Sequence, residues 1–348
     1  MVERDTGPPG PRRNRRGRVV AALAALLLLA GCGFGGRIDA SEIPTAPGEP
    51  GDTVLRLANA YESVHPVNAC GVPAMQEVLL GSGITVEAYP SAQLGTEAES
   101  LEQVAAGGLD LTIAGPSFLG VWHDPAAVLD AAYLFDTVEG FTAAVEGDVI
   151  AGVHEDFRER SGMRVLSSIY YGTRHTTSNR PISAPADFAG LKLRTPDAPL
   201  YLINTAVMGG TATPMALGEV YLALQQGTLD AQENPVPTIA SAGFDEVQQY
   251  LNLTGHIVQA VHLVTNDEIN SALDPEQRDR LDEAAAAGSA ATRECVLREE
   301  REQVEAWQQD GSITVNPVDT AAFARQAHEQ IPERVAWGDL YTELREER

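Results

Sequence analysis

"LKLRTPDAPLYLINTAVMGG", residues 191–210, contains the unit on which the predicted fold is based. Side chains alternate along a strand, so Leu191 and Leu193 share one face while Lys192 and Arg194 share the other. A threonine-proline pair ends the strand, and the helical pattern that follows stops at two glycines. A strand that leads directly into a helix is the repeating unit of an α/β protein with a mainly parallel sheet.

The same alternation extends over most of the chain. Residues 96–108 begin with a capping box, Thr96 and Glu99, and end in glycines, which is typical of a helix. Other strand or helix patterns occupy residues 53–60, 66–80, 84–90, 109–115, 138–160, 163–172, 211–215, 218–227, 262–267 and 275–309. This order predicts an α/β fold with two lobes.

The composition limits the kinds of partner. The 348 residues include 49 acidic and 24 basic side chains, which gives a formal net charge of -25. Such a surface argues against nucleic acid or anionic lipid as the main partner, because binding phosphates requires a basic surface. It leaves a small anion possible, since the binding of a small ligand is decided by the residues around it.

The N-terminus has the features of an export signal. Basic residues 12–18 precede an apolar run, 19–30, that is too short for an ordinary membrane span. The run ends in "LAGC", which resembles a bacterial lipobox with Cys32 as the acylated residue; a chance cysteine is the alternative. We therefore predict a lipoprotein signal peptide at residues 1–31 and a flexible tether at residues 32–52. The protein would then be extracytoplasmic and lipid-anchored to the outer face of the cytoplasmic membrane.

Two cysteines remain after Cys32. An exported protein matures in an oxidising compartment, so Cys70 and Cys295 either form a disulfide or lie separately as buried thiols. The distance between them in the fold decides between these alternatives.

The sequence contains no motif of a known catalytic centre. It has no G-x-S-x-G, H-E-x-x-H or C-x-x-C pattern, and no carboxylate pair is marked as a catalytic dyad. The seven histidines are scattered, and even the nearest pair, His256 and His262, lacks the spacing of metal ligands. We predict a protein that is not an enzyme and has neither metal nor cofactor. A secreted hydrolase and a sensory receptor without transport remain as alternatives.

Three segments carry a resemblance to a known family: "YYGTRHTTSNRPISAPADFAGLKLRTP" (170–196), "TATPMALGEVYLALQQGTLDAQENP" (211–235) and "DEVQQYLNLTGH" (245–256). They closely resemble the substrate-binding proteins of TRAP (tripartite ATP-independent periplasmic) transporters, the DctP family. Residues 89–115 match more loosely, and the second lobe is most similar to the sialic-acid receptors. The resemblance covers nearly all of residues 53–330.

The resemblance implies a two-lobed periplasmic-binding-protein fold of the flytrap type. Each lobe is expected to be a mixed sheet flanked by helices, and hinge strands and a long helix join the lobes. We predict that residues 53–171 and 260–299 form lobe I and that residues 172–259 and 300–348 form lobe II. The implied partners of this monomer are a small organic acid anion, such as a sugar acid, and the TRAP membrane subunits that receive it.

The resemblance also implies the binding residues. The family's arginine that pairs with the substrate carboxylate falls on Arg194, an assisting arginine falls on Arg174, and a ligand-contacting asparagine falls on Asn234. The position of Arg194 fits this role, because ligands of open α/β sheets bind beyond the C-terminal ends of the strands. A guanidinium group also matches a carboxylate in a bidentate pair.

Other positions depart from the sialic-acid receptors. Leu217 stands where that group has an aromatic contact, and "IAGPSFLG" (113–120) lacks its polar residues, so sialic acid itself is disfavoured as the ligand. Glu62 and His65 follow the first strand, where the cleft is expected, and are predicted ligand contacts. Each can equally be a helix cap or a surface residue.

Overall fold

Residues 52–346 are described by the structure, which is a computed structural model. The predicted signal peptide, Cys32 and the tether up to residue 51 lie outside the described residues. The strands are β1 Thr53–Ala58, β2 Ile84–Tyr89, β3 Leu111–Ala114, β4 Met163–Ser178, β5 Lys192–Thr195, β6 Thr211–Pro214, β7 Ala231–Pro235, β8 Tyr250–Asn266 and β9 Thr314–Asn316. The α-helices are α1 Val72–Leu79, α2 Glu97–Ala105, α3 Pro116–Leu119, α4 Val138–Val145, α5 Asp148–Ser161, α6 Pro199–Val207, α7 Val220–Gln225, α8 Val236–Ser241, α9 Asp267–Ala272, α10 Pro275–Asp310, α11 Thr320–Arg334 and α12 Gly338–Glu346.

The strands of the described residues form one mixed sheet. Its order is β2-β1-β3-β8-β4-β7-β5-β6, and β9 pairs with β8. Parallel pairing joins β2, β1 and β3 at one end of the sheet and β7, β5 and β6 at the other. The antiparallel strands β4 and β8 lie between these two ends and pair with each other along most of their length.

The two central strands are longer than the sequence pattern predicted. β4 has 16 residues and β8 has 17, whereas the predicted strands covered residues 163–172 and 262–267. The missed parts are rich in polar residues, which hide the strand periodicity. Most of these polar side chains are buried, and hydrogen bonds compensate for their burial; Asn252, for example, donates to the backbone oxygen of Thr176 at 3.1 Å.

The register of β4 changes at a glycine. The pairing with β8 shifts between Tyr170 and Gly172, and Gly172 adopts φ 124°. A side chain at this position would also collide with Pro235, so only glycine fits there. This site is next to the predicted lobe boundaries at 171/172 and 259/260, which stay predictions.

The long helix α10 packs on the sheet and is joined to the first part of the chain. A disulfide links Cys295 of α10 to Cys70, with the Cα atoms 6.6 Å apart, so the two cysteines are bonded in the structure. The helix predicted at 138–160 is instead two helices, α4 and α5, because the chain leaves the helical conformation at Gly147. Within residues 52–346, no helix is both long enough and apolar enough to cross a membrane.

Candidate functional site

Arg194 is a buried cation that has no carboxylate partner within residues 52–346. It lies on β5 and is 2% exposed. Its Nε and Nη2 atoms both donate to the backbone oxygen of Met215, at 2.9 and 2.7 Å. Among residues 52–346 it forms no ion pair, and burial lowers the pKa of its guanidinium to about 10, although Glu233 nearby opposes this shift. A buried charge of this kind favours a ligand of opposite charge.

Arg174, on β4, has its donors largely occupied. Nε and Nη2 donate to the carboxylate of Glu233, Nη2 also donates to the backbone oxygen of Glu233, and Nη1 donates to Gln259 at 2.7 Å. A guanidinium has five N–H groups, so one, on Nη1, remains for a ligand. The guanidinium also lies over the ring of Tyr201, 5.3 Å from its centroid. Arg174 is therefore fixed in place and has fewer donors left for a ligand than Arg194.

Glu233 is the buried partner of Arg174, which the sequence patterns did not predict. It is 3% exposed on β7 and also contacts His256, whose Nε2 lies 3.0 Å from its Oε2. Burial raises the pKa of Glu233, but Arg174 and the His256 hydrogen bond outweigh burial and lower it to about 2. The sequence does contain a signal for this pairing. Glu233 lies between two polar residues in a strand that ends at Pro235, and a glutamate that is buried in a strand requires a partner of opposite charge.

Two small cavities lie where elements from both ends of the sheet meet. The outer cavity has a volume of about 100 Å³ and the inner one about 20 Å³. The residues that line both are Glu97, Phe118, Arg194 and Leu217. Arg174 and Asn234 line the inner cavity. The structure therefore brings together four of the predicted ligand residues: Arg174, Arg194, Leu217 and Asn234.

Asn234 is held by its neighbour on β7. Its Nδ2 donates to Oε1 of Gln232 at 2.7 Å, and the side chain is 2% exposed. The strand β7, which pairs with β4, therefore carries two buried polar residues side by side. Asn234 lines the inner cavity, and Glu233 pairs with Arg174.

Glu97 supplies an opposite charge to the same cavities. It is the first residue of α2, and its Oε1 accepts from Tyr61 Oη at 3.0 Å and from the backbone N–H of Gly115 at 3.2 Å. Its Oε2 has no protein partner among the described residues. Burial raises the pKa of Glu97, although Gly115, Tyr61 and Arg194 oppose this effect. The capping box points to Glu99, whereas the signal for Glu97 is its position after the C-terminal end of β2, where ligands of open α/β sheets bind.

Glu62 and His65 do not line either cavity. Glu62 accepts a hydrogen bond from Ser91 Oγ at 2.8 Å. His65 is fully buried beside Tyr61 and Tyr171, with ring centroids 5.2 and 5.3 Å away, and burial lowers its pKa to about 3. The structure places His65 behind the cavity lining, and a direct ligand contact by either residue stays a prediction.

The described residues show no arrangement for a metal ion. In the range 52–346, no group of three or more His, Cys, Asp or Glu side chains could hold one. The polar groups around the cavities instead suit an organic ligand with a negative end facing Arg194 and a hydrogen-bond donor facing Glu97.

The cavities are lined from both ends of a mixed sheet, and they contain a guanidinium that has no carboxylate partner among residues 52–346. This arrangement fits a protein that binds a small anionic solute. The chain belongs to the DctP family, bacterial extracellular solute-binding protein family 7, whose model matches residues 74–336. The family and the two-lobed α/β fold predicted from the sequence are thereby confirmed.

Known relatives agree with this assignment. The sialic acid-binding periplasmic protein SiaP of Vibrio cholerae is 36% identical over 234 residues, which are 67% of this chain and 73% of SiaP. A TRAP periplasmic solute-binding protein of Roseobacter denitrificans OCh 114, solved with bound L-galactonate, has a TM-score of 0.79 and 30% identity, covering 84% of this chain and 98% of that one. A counterpart from Polaromonas sp. JS666, bound to D-erythronate, has a TM-score of 0.79 and 27% identity over 84% and 98% of the two chains.

Proposed function

We propose that this protein is the extracytoplasmic binding component of a TRAP transporter and captures a small sugar acid or related organic acid. The observation that carries this proposal is Arg194, a buried guanidinium that has no carboxylate partner among the described residues. Removing a charge from water is costly unless a partner compensates for it. The carboxylate of the ligand supplies that partner.

The orientation of Arg194 specifies how the carboxylate binds. Met215 occupies the edge of the guanidinium formed by Nε and one N–H of Nη2. The edge formed by Nη1 and the other Nη2 N–H remains, and this edge is a fork that fits a carboxylate in a bidentate pair. Hydrogen bonds of this charged kind contribute about 1.5–3 kcal/mol each.

The opposite side of the cavity favours a hydroxylated acid. The Oε2 atom of Glu97 accepts a hydrogen bond from a hydroxyl group of the ligand, while Phe118 and Leu217 contact its carbon skeleton. L-Galactonate and D-erythronate, the ligands of the two related structures, both combine a carboxylate with several hydroxyl groups. This chemistry matches a cavity with Arg194 at one side and Glu97 at the other.

The size of the cavities favours a short acid. Their volumes, about 100 and about 20 Å³, are small compared with roughly 300–1,000 Å³ for typical ligand pockets. A short sugar acid such as D-erythronate requires less opening of the cleft than sialic acid does. We therefore propose that the protein prefers short sugar acids over sialic acid.

Calorimetric titration tests this function. We expect wild-type protein to bind D-erythronate or L-galactonate, to bind the neutral polyol erythritol far more weakly, and to release the acid chemically unchanged. Lys192→Met is the matched control for Arg194→Met, because Lys192 is an exposed cation on the same strand. Undiminished affinity in Arg194→Met would reject Arg194 as the carboxylate site, and turnover of the acid would favour the hydrolase alternative.

We further propose that the protein acts as a monomer anchored through Cys32 and delivers its acid to TRAP membrane subunits. The lipobox-like sequence before Cys32 and the membership in the DctP family support this proposal. Fractionation of cells that produce wild type or Cys32→Ala tests the anchor: the wild type should sediment with membranes and the variant should not. Uptake that persists without the membrane subunits would contradict the proposed partner.

A further inference from the structure

The disulfide lies outside the binding cavities but next to a segment that lines them. Cys70 belongs to the π-helical turn Val67–Gly71, and Cys295 belongs to α10. The turn packs so closely on α10 that a side chain at Gly71 would collide with Thr292. The disulfide and this close approach together fix the turn on the helix.

The helix is itself firmly attached to the sheet. Ser289 donates to the backbone oxygen of Ser168 at 3.1 Å, and Glu300 accepts from the backbone N–H of Thr173 at 2.7 Å. Both bonds join α10 to β4. The turn is therefore connected, through α10, to the central strand β4.

Asn68, two residues before Cys70, connects the turn to the binding segment. Its side chain is 2% exposed and forms a reciprocal pair with the side-chain amide of Asn59, at 2.8 and 3.1 Å. Its Nδ2 also donates to the backbone oxygens of Tyr61 and Glu62, at 3.0 and 2.9 Å. These bonds fix the backbone that carries the Tyr61 side chain.

Tyr61 completes the connection to the ligand site. It lines the inner cavity, its ring lies 5.0 Å from that of Tyr171, and its hydroxyl donates to Glu97 Oε1 at 3.0 Å. A continuous set of contacts therefore runs from Cys295 through Cys70, Asn68 and Tyr61 to Glu97. Neither cysteine touches the cavities.

We propose that the Cys70–Cys295 disulfide and Asn68 are positioning elements of the ligand site. They hold Tyr61, and through it Glu97, in the geometry that faces Arg194. This proposal rests on the proposed function, since Glu97 and Arg194 are taken as the two poles of the site. Loss of the disulfide loosens one side of the cavity and weakens acid binding in a protein that is still folded.

A thermodynamic cycle with L-galactonate as the probe tests the connection. We expect the Cys70→Ala/Cys295→Ala variant and, with the disulfide intact, Asn68→Ala each to bind about tenfold more weakly. Asn68→Ala should reduce the affinity clearly less in the disulfide-free variant than in the wild type, because the effects of contacts that act together are not additive. Arg280→Ala, which removes the exposed ion pair between Arg280 and Glu283 on α10, is the control and should leave affinity unchanged. Unfolding curves establish that each variant is folded during the titration.

Two results overturn the proposal: a folded disulfide-free variant with wild-type affinity, or affinity losses that simply add. If the disulfide-free variant does not fold, Asn68→Ala alone decides, and unchanged affinity in that variant overturns the proposal.

Hydrogen exchange of the ligand-free protein separates this proposal from the proposed function. The amide N–H groups of Tyr61 and Asn68 should exchange faster in the disulfide-free variant and, for Tyr61, in Asn68→Ala. Unchanged exchange would overturn the positioning role even if no sugar acid binds. Faster exchange together with no binding of any acid by the wild type would instead reject only the proposed function.

Discussion

Arg194 donates twice to a single acceptor, the backbone oxygen of Met215, through Nε at 2.9 Å and Nη2 at 2.7 Å. Met215 in turn donates its backbone N–H to the oxygen of Thr195 at 3.1 Å, so this acceptor is itself fixed to β5. The contact sets the direction of the guanidinium without neutralising it. The ligand-free protein thus retains an oriented, buried positive charge.

Removing this charge should affect stability and binding in opposite directions. We expect Arg194→Met to raise the free energy of unfolding of the ligand-free protein by about 1 kcal/mol, because an unpaired buried charge is replaced by an apolar side chain. The same variant should lose at least about 100-fold in affinity for L-galactonate, because the carboxylate loses its charged partner. Urea unfolding and calorimetry measure the two effects.

Lys192→Met makes the same change of charge on the exposed face of β5. It should alter neither the free energy of unfolding nor the affinity for L-galactonate appreciably. A ligand-free Arg194→Met protein that is less stable than wild type would contradict the view that this charge is uncompensated.

Glu233 should be essential for stability because it is the counter-charge of Arg174. Glu233→Gln leaves the Arg174 guanidinium buried without a carboxylate, so we expect a loss of about 3 kcal/mol in the free energy of unfolding. Urea unfolding measures it, and Glu329→Gln, a substitution of an exposed glutamate, is the control. A loss no larger than that of the control would show that the Arg174–Glu233 pair does not stabilise the fold.

Glu97 should contribute to affinity through its charge. Glu97→Gln keeps the shape of the side chain but weakens the acceptor that faces the ligand, so we expect about tenfold weaker binding of L-galactonate. Glu102→Gln, on an exposed position of the same helix, is the matched control and should bind normally. Equal affinity of the two variants would exclude Glu97 as a ligand contact.

His65 should make stability depend on pH. Burial lowers its folded-state pKa to about 3, whereas an unfolded histidine titrates near pH 6.5. Between these two pKa values His65 is protonated in the unfolded chain and neutral in the folded protein. Its contribution to the free energy of unfolding therefore falls as the pH decreases, by up to about 1.4 kcal/mol per pH unit. The loss begins near pH 6.5 and is complete below pH of about 3.

The matched variant is His65→Gln, which cannot take up this proton. Its urea midpoints at about pH 7, 6 and 5 should decline less steeply than those of the wild type, since the other buried histidines are common to both proteins. Parallel pH profiles would show that His65 is not held neutral by the fold.

The strand–helix order, the family and the position of Arg194 could be predicted from the sequence. The alternation of Leu191, Lys192, Leu193 and Arg194 encodes one strand and its two faces, and the proline that follows places Arg194 at the strand's C-terminal end. These are local properties, because periodicity and turn residues act over a few positions.

The partners of the buried polar residues depend on the tertiary structure. Arg174 and Glu233 are 59 positions apart, and the register between β4 and β7 brings them together. The same holds for Glu97, which lines the cavity of Arg194 because packing brings α2 and β5, from opposite ends of the sheet, to the same cavity. Cys70 and Cys295, separated by 225 positions, are joined because α10 packs on the Val67–Gly71 turn.

The sequence by itself therefore determined the class of this protein and the arginine with which a carboxylate is expected to pair. The tertiary structure decided which of two similar arginines has a charged partner: Arg174 is neutralised by Glu233, while Arg194, within the part of the chain that the structure describes, donates only to a backbone oxygen. The physical reason is that a local pattern specifies which face a side chain occupies. Only strand register and packing across the sheet specify which charge lies opposite it.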